Sequence, residues 1–360
     1  MNETPKQLYQ LTEPLLHWYD GSARVLPWRD EPTAYHVWVS EIMLQQTRVS
    51  AVLPYYQRFL EALPDVAALA AVEEEKLLKL WEGLGYYNRA RNLQKAAKKI
   101  MEEFSGVFPD TYETILTLPG VGEYTAGAVA SIAFGRCVSA VDGNVLRVVA
   151  RITGDEGDVL DAKVKARFRA WVEEIQSADR PGDFNQAMME LGAMVCVPNG
   201  APHCEACPAR DFCVAREENT WNMLPMKKKK AQRRIEEKTV FVLLQNGSVA
   251  LRRRENKGLL AGLWEFPNVP GTLDEADAAA QLERWGVTPM DWEERLGAKH
   301  IFTHVEWHMR GYVLRVRDDG STPFAWTDRS GFAERAVPSA FVKFMEAARL
   351  RLSENEEEEI

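Results

Sequence analysis

At 360 residues, with 46% hydrophobic residues, the chain has the composition of a globular protein long enough for two separate cores. No apolar run reaches bilayer-spanning length, and the opening MNETPKQLYQ is polar and lacks the apolar centre of a secretion signal, so a cytoplasmic protein without membrane attachment is expected. A formal charge of −9 argues weakly against a polyanionic partner, but the charge is uneven: five glutamates crowd into residues 353–360, whereas residues 227–230 and Arg233-Arg234 form a basic run.

Residues 8–18 read as an amphipathic helix with Leu8, Leu11, Leu15 and Trp18 on one face. Residues 37–48, VWVSEIMLQQTR, read as a second helix in which Glu41 is set among Val37, Trp38, Val39, Ile42, Met43 and Leu44. Desolvation raises the pKa of such a carboxylate, whether it serves in a structural ion pair or as an acid. Residues 81–92, WEGLGYYNRARN, set Tyr86 and Tyr87 between turn-forming Gly83 and Gly85 and the cations Arg89 and Arg91. That mixture suits stacking and phosphate contact on a nucleic acid, or ordinary core packing.

Residues 112–117 lead into a tight Leu118-Pro119-Gly120-Val121-Gly122 turn, and residues 124–134 continue as a helix rich in Ala and Gly. Gly120 and Gly122 are free to take positive φ and carry no Cβ, so the turn can press backbone N–H groups against an anionic oxygen, naturally a phosphate. Ala126, Gly127, Ala128, Ala130 and Ala133 keep the helix thin for close packing. A turn at Gly135-Arg136 and an apolar run, 137–141, then deliver Asp142-Gly143-Asn144 to the start of a helix over 145–152. Asp142 stands there as an N-cap or as a functional acid.

Residues 184–193 are helical and lead into the cysteines. Cys137, in its apolar run, reads as buried packing; Cys196, Cys204, Cys207 and Cys213 cluster as C-x7-C-x2-C-x5-C and indicate a metal in a chain without disulfide context. Zinc ribbons use two C-x2-C knuckles and this chain has one, which makes zinc the second choice. Helical periodicity ends at Leu224-Pro225, the basic run follows, and beyond it residues 239–244, 249–253 and 304–316 alternate as strands.

The order of parts in residues 118–151, LPGVGEYTAGAVASIAFGRCVSAVDGNVLRVVAR, resembles the helix-hairpin-helix DNA glycosylases: a phosphate-gripping hairpin, a thin helix, then an acid at a helix start about twenty residues on. Within that superfamily the chain is most similar to the adenine DNA glycosylases of the MutY type, over most of its length. The resemblance implies an all-α helix-hairpin-helix glycosylase domain over 1–220 with an iron–sulfur loop at 196–213. A basic linker over 221–237, a C-terminal α+β Nudix-like domain over 238–350 and an acidic tail over 351–360 follow.

It also implies roles. Glu41 is the general acid that protonates adenine, Asp142 the carboxylate that stabilises the developing sugar cation, and Tyr124 and Asn144 position the groups. Endonuclease III-like relatives carry at the position of Tyr124 a lysine that attacks the sugar. Tyr124 forms no imine, so a monofunctional enzyme is expected. Arg29 and Trp28 of the LPWR segment border the base pocket, and Gln186 contacts the flipped adenine. Gln46 and Thr47 of QQT, with Tyr86, lie against the lesion pair, while Gly120 and Gly122 hold the backbone phosphate.

Cys196, Cys204, Cys207 and Cys213 hold a [4Fe–4S] cluster, here with one residue more in the first gap than the usual C-x6-C, and Arg210 and Arg216 of that loop meet phosphate. Residues 258–267, GLLAGLWEFP, resemble Nudix domains, but residues 279–284 lack most carboxylates of the metal-binding helix, which argues against Mg²⁺-dependent pyrophosphate hydrolysis. Phe302, Thr303 and His304 match the loop that senses 8-oxoguanine. The implied partner is duplex DNA with adenine opposite 8-oxoguanine or guanine, met by a monomer in the nucleoid of a bacterial cytoplasm.

Overall fold

The computed structural model describes residues 3–228, 232–318, 320 and 322–357, the last four by backbone alone. Contacts divide the chain into two units: residues 1–71 with 91–229, and residues 72–90 with 230–360. Residues 72–90 thus leave the expected 1–220 segment and join the C-terminal unit, so the division is not a single cut in the linker. Lys229 and Lys230 of the basic run lie outside the described residues.

The first unit is helical. Its elements are α1 (Lys6–Tyr9), α2 (Thr12–Ser22), α3 (Pro27–Asp30), α4 (Ala34–Leu44), α5 (Val49–Ala62) and α6 (Val66–Ala71). After α7 (Glu74–Leu80) of the other unit come α8 (Asn88–Glu103), α9 (Tyr112–Leu116), α10 (Glu123–Phe134), α11 (Gly143–Thr153), α12 (Ala162–Ile175), α13 (Pro181–Met194) and α14 (Val214–Glu217). The amphipathic stretch expected over 8–18 is divided into α1 and α2. Pro14 has no N–H to give Gln10, so a continuous helix through it is disfavoured, whereas in the first turn of α2 it costs nothing. Leu8, Leu11 and Leu15 are nevertheless fully buried, against Val145, Val148 and Val149 of α11, Phe168 and Val172 of α12, and Phe184, Met188 and Leu191 of α13.

The thin helix behaves as its composition requires. A Cβ on Gly127 would sit 2.1 Å from the Ser139 carbonyl oxygen, so only glycine permits this approach of α10 to the strand-like segment before Asp142. The α10 helix packs against α4 and α13. Two expectations need correction here. Gly120 has φ of +76°, but Gly122, at φ −102°, lies in the extended region and uses no glycine-only conformation. Cys137 is exposed: it directly follows the surface turn at Gly135, and burial begins at Ser139 and Ala140.

The second unit is a mixed sheet with helices on both faces. Strands β1 (Arg234–Gln245), β2 (Ser248–Arg253), β3 (Trp264–Glu265), β4 (Asn268–Pro270), β5 (Val287–Ile301), β6 (Val305–Asp318) and β7 (Ala325–Thr327) run with α15 (Glu275–Arg284), α16 (Arg329–Glu334) and α17 (Val342–Glu357). The strand order is β3-β2-β1-β6-β5, with β4 pairing β1 and β7 pairing β2; β1 and β6 are parallel, β5 and β6 antiparallel. Central β1 is buried on both faces. Val240, Val242 and Leu244 join Trp307, Val313 and Phe344 of α17 in one core, and Phe241 and Leu243 join Tyr312, Leu314 and Leu282 of α15 in the other. The long edge strand β5 was not foreseen; among the described residues it pairs only with β6, and its charged residues give no apolar alternation to read. Within the acidic tail expected from residue 351, α17 continues to Glu357, and Leu352 is buried in the core.

Candidate active site

A cleft of about 1150 Å³ opens in the helical unit and is lined by Trp28, Arg29, Glu41, Gln46, Thr47, Tyr124, Asp142, Asn144 and Gln186 among others. Residues read separately from five stretches of sequence thus share one cavity.

Glu41 sits on the inner face of α4 at 6% exposure. The Tyr124 hydroxyl, from the first turn of α10, donates to its Oε2 and lies 3.1 Å from Met189 Sδ. Burial pushes the Glu41 carboxyl up to about 7; the Tyr124 hydrogen bond and the Arg29 charge pull the other way, and Asp142 adds to the rise. Burial likewise raises the Tyr124 phenol well above its ordinary range, so it stays a donor.

Asp142 is the N-cap of α11. Its Oδ1 accepts from the backbone N–H groups of Asn144 and Val145, both at 2.8 Å, and its Oδ2 from Asn144 Nδ2 at 2.7 Å. Burial raises its pKa also, against these hydrogen bonds and the charge of Arg147. The opposed roles implied for the two acids call for pKa values pushed apart, but both move up. They differ in donors, since Asp142 accepts three and Glu41 accepts one from Tyr124. Asn144 is itself fixed: Arg147 Nη2 donates to its Oδ1 at 2.8 Å and to the Gly192 carbonyl at 2.7 Å, while Arg147 Nε reaches the Cys196 carbonyl at 2.8 Å.

The opposite wall is built on α3 and α13. Arg29 donates through Nε to Gln186 Oε1 at 3.0 Å, through Nη1 to the Arg24 carbonyl at 2.8 Å, and through Nη2 to Glu190 Oε2 at 3.0 Å. Trp28 is buried edge-on to Tyr56 with ring centroids 5.2 Å apart. Glu190 and Arg24 were missed from the sequence. The available signal was that which singled out Glu41, a carboxylate among apolar neighbours, here Met188, Met189 and Leu191, one turn past Gln186.

The helix expected to run to Arg48 ends at Leu44, and Gln46 takes φ of +58°, which turns QQT off the helix axis. Among non-glycine residues this region is sparsely populated and clusters at functional sites. Gly120 and Gly122 stand in the hairpin before α10, whose N-cap makes no side-chain hydrogen bond and so leaves the first-turn N–H groups without that partner. In the second unit, Tyr86 also has positive φ, +48°, is 48% exposed, and its hydroxyl lies 3.2 Å from Thr303 Oγ1. Phe302 packs edge-on to His300 and Trp307, and His304 follows in the same turn.

Cys196, Cys204, Cys207 and Cys213 line one small cavity with Arg151, Arg210 and Arg216. Arg151 Nη1 lies 3.3 Å from Cys196 Sγ, and burial pushes the Cys207 thiol up to about 12. Among the described residues no three His, Cys, Asp or Glu side chains form a group tight enough for a single metal ion. Among the same residues no helix is long and apolar enough to cross a membrane.

Residues 39–174 match the HhH-GPD superfamily of base excision DNA repair proteins, and residues 239–347 match the NUDIX domain. The adenine DNA glycosylase of Homo sapiens is 38% identical over 91% of this chain and 72% of its own length. That of Buchnera aphidicola subsp. Acyrthosiphon pisum is 33% identical over 86% of this chain and 87% of its own. Among solved structures, a thermostable thymine-DNA glycosylase is similar at TM-score 0.54 and 28% identity, over 59% of this chain and 98% of that one. Endonuclease III in a non-covalent DNA complex, 23% identical at TM-score 0.51 over 59% of this chain and 98% of that one, shares the fold of the helical unit. With a helical glycosylase unit, a Nudix-like unit and relatives this similar along nearly the whole sequence, the chain belongs to the adenine DNA glycosylase family.

Proposed function

We propose that this protein is a monofunctional glycosylase that releases adenine mispaired with 8-oxoguanine, or with guanine, from duplex DNA. The observation that carries the reading is the pairing, in one cleft, of a buried carboxyl held by Tyr124 with a second carboxylate fixed at a helix start. Glu41, protonated near neutral pH, gives its proton to a ring nitrogen of adenine such as N7. The C1′–N9 bond then breaks with its electron pair leaving on the neutral base, and positive charge grows on the sugar. Asp142, whose charged form three donors favour, faces that charge. Glu41, now a carboxylate, takes a proton from the water that attacks C1′, and an abasic site remains. No amine replaces Tyr124, so the strand is left intact.

Arg29 and Gln186 form the polar wall for the flipped base, with Gln186 Oε1 already engaged by Arg29 and its amide N–H groups left to donate. The uncapped start of α10 serves a backbone phosphate. Tyr86 and Thr303, brought within hydrogen-bond distance, read the 8-oxoguanine, and Gln46, poised in its strained conformation, fills the space the adenine vacates. The four cysteines fit a [4Fe–4S] cluster: all border one cavity, and the Arg151 guanidinium faces the Cys196 sulfur, where thiolate charge would collect. Bound there, the cluster serves to order the loop.

The test is single-turnover adenine release from a duplex with adenine opposite 8-oxoguanine. Base release without strand breaks until alkali is added is the expected result; spontaneous strand cleavage would overturn the monofunctional reading.

A further inference from the structure

Glu190 takes no part in the mechanism above, yet it is among the most buried carboxylates of the helical unit, 2% exposed, and it borders the same cleft. Its Oε1 accepts from Arg24 Nε at 2.6 Å and from the Arg24 backbone N–H at 3.2 Å. Its Oε2 accepts from Arg24 Nη2 at 2.9 Å and from Arg29 Nη2 at 3.0 Å. Arg29 closes the ring by donating to the Arg24 carbonyl and to Gln186, one turn before Glu190 on α13. One carboxylate therefore ties down two guanidiniums and cancels half of their charge. Of the two, Arg29 bears directly on Glu41 and favours its ionised form. The charged and titratable groups sharing the cleft with Glu41 are Arg24, Arg29, Arg48, Tyr124, Asp142 and Glu190. Tyr124 comes from α10, Asp142 from the start of α11, Arg29 from α3, and Arg48 from the start of α5.

We infer that Glu190 is a positioning residue of the reaction: by clamping Arg24 and Arg29 to the cleft wall and offsetting their charge, it keeps Glu41 in the protonated form from which catalysis starts. The inference rests on the reading of Glu41 as the general acid. Burial opposes ionisation of Glu190, but its hydrogen bonds from Arg24 and Arg29 win and hold it below the usual range, so its charge persists wherever the enzyme works.

The test is the pH profile of single-turnover adenine release by the holoenzyme, between about pH 5 and about pH 9, for wild type, Glu190→Gln, Arg24→Met and the double variant. The wild-type rate falls on the alkaline side as Glu41 loses its proton. Glu190→Gln removes a negative charge and moves that limb to lower pH, whereas Arg24→Met removes a positive charge and moves it to higher pH, each by on the order of half a unit. The double variant restores the net charge and returns the limb toward its original place. A clamp that only supports the fold would lower the rates without moving the limb, or move it the same way in both single variants, and either outcome overturns the inference. Should Glu190→Gln not fold, the direction of the Arg24→Met shift decides alone. A wild-type profile with no alkaline limb refutes the Glu41 reading together with this one; a wild-type limb that stays fixed in the variants refutes only the role of Glu190.

Discussion

Replacing Glu41 by Gln is expected to slow adenine release sharply and, by the same physics, to stabilise the fold at alkaline pH. The carboxyl is raised from 4.5 to about 7, chiefly by burial, and each pKa unit corresponds to about 1.4 kcal/mol, so the shift is worth about 3 kcal/mol. The folded pKa lies above the unfolded one, so the neutral group's contribution is fully present below pH 4.5 and is lost as pH rises through about 7. Above that, wild type carries a cost of about 3 kcal/mol that the amide, never charged, does not. Gln keeps an oxygen to accept from Tyr124, which limits any loss of the hydrogen bond.

In a unit of roughly 200 residues, a kilocalorie moves the melting midpoint by about 2–4 °C. The helical unit of Glu41→Gln should therefore melt about 6–12 °C above wild type at about pH 8.5, and the gap should close towards about pH 5. Calorimetric scans of the two proteins at the two pH values measure this directly. A midpoint difference that is the same at both pH values would refute the argument, because it would mean Glu41 titrates alike in the folded and unfolded chain. Single-turnover release should fall by about a hundredfold or more in the same variant, the scale of a lost general acid.

Asp142→Asn should also lose about a hundredfold or more in single-turnover release. It should still fold at a cost of about 1–3 kcal/mol, seen by melting, because the new amide meets the Asn144 amide that Arg147 holds in place. Tyr124→Lys puts an amine in the cleft and should yield a protein–DNA adduct trapped by borohydride, with strand cleavage that wild type lacks; no adduct would show that the position does not face the sugar. Gly192→Ala would set a Cβ 2.6 Å from Asn144 Cβ, so release should drop about tenfold or more through displaced Asn144 and Asp142, along with a lower melting point. Thr303→Ala should reduce the ratio of release rates opposite 8-oxoguanine and opposite guanine by about fivefold, the value of one hydrogen bond.

Much of the candidate cleft was legible because its residues sit in unusual company. Glu41 stood out as a carboxylate in an apolar helix, and the structure returns it buried and raised for that reason. The hairpin and thin helix were legible from Gly and Ala content, which answers to close backbone approach. What sequence could not give was conformation set at a distance. Nothing local in QQT requires Gln46 to be left-handed, and the contact between Tyr86 and Thr303 spans 217 positions. Glu190 carried the same local signal as Glu41, but its clamp on Arg24 and Arg29 joins residues remote in sequence and could not be read there. β5 escaped because an edge strand that is largely exposed carries no apolar rhythm.

The alternatives raised for Asp142, helix cap or reacting carboxylate, turn out to depend on each other. An acid buried in this cleft is pushed toward its neutral form, and a neutral carboxylic acid stabilises no cation. What opposes that push is the capping geometry itself: two backbone N–H groups at the start of α11, the Asn144 amide and the charge of Arg147 all favour the anion. The positive end of the helix acts in the same direction. A cap at an exposed helix start would need none of this support, and Glu190, buried in mid-helix, needs two arginines to be held in the charged form. Placing the acid at the N-cap surrounds a half-buried carboxylate with donors that favour its charged form, the form that electrostatic stabilisation of a sugar cation would require. Glu41, in mid-helix, accepts from Tyr124 and among the described residues has no such set of donors, and burial carries it up to about 7.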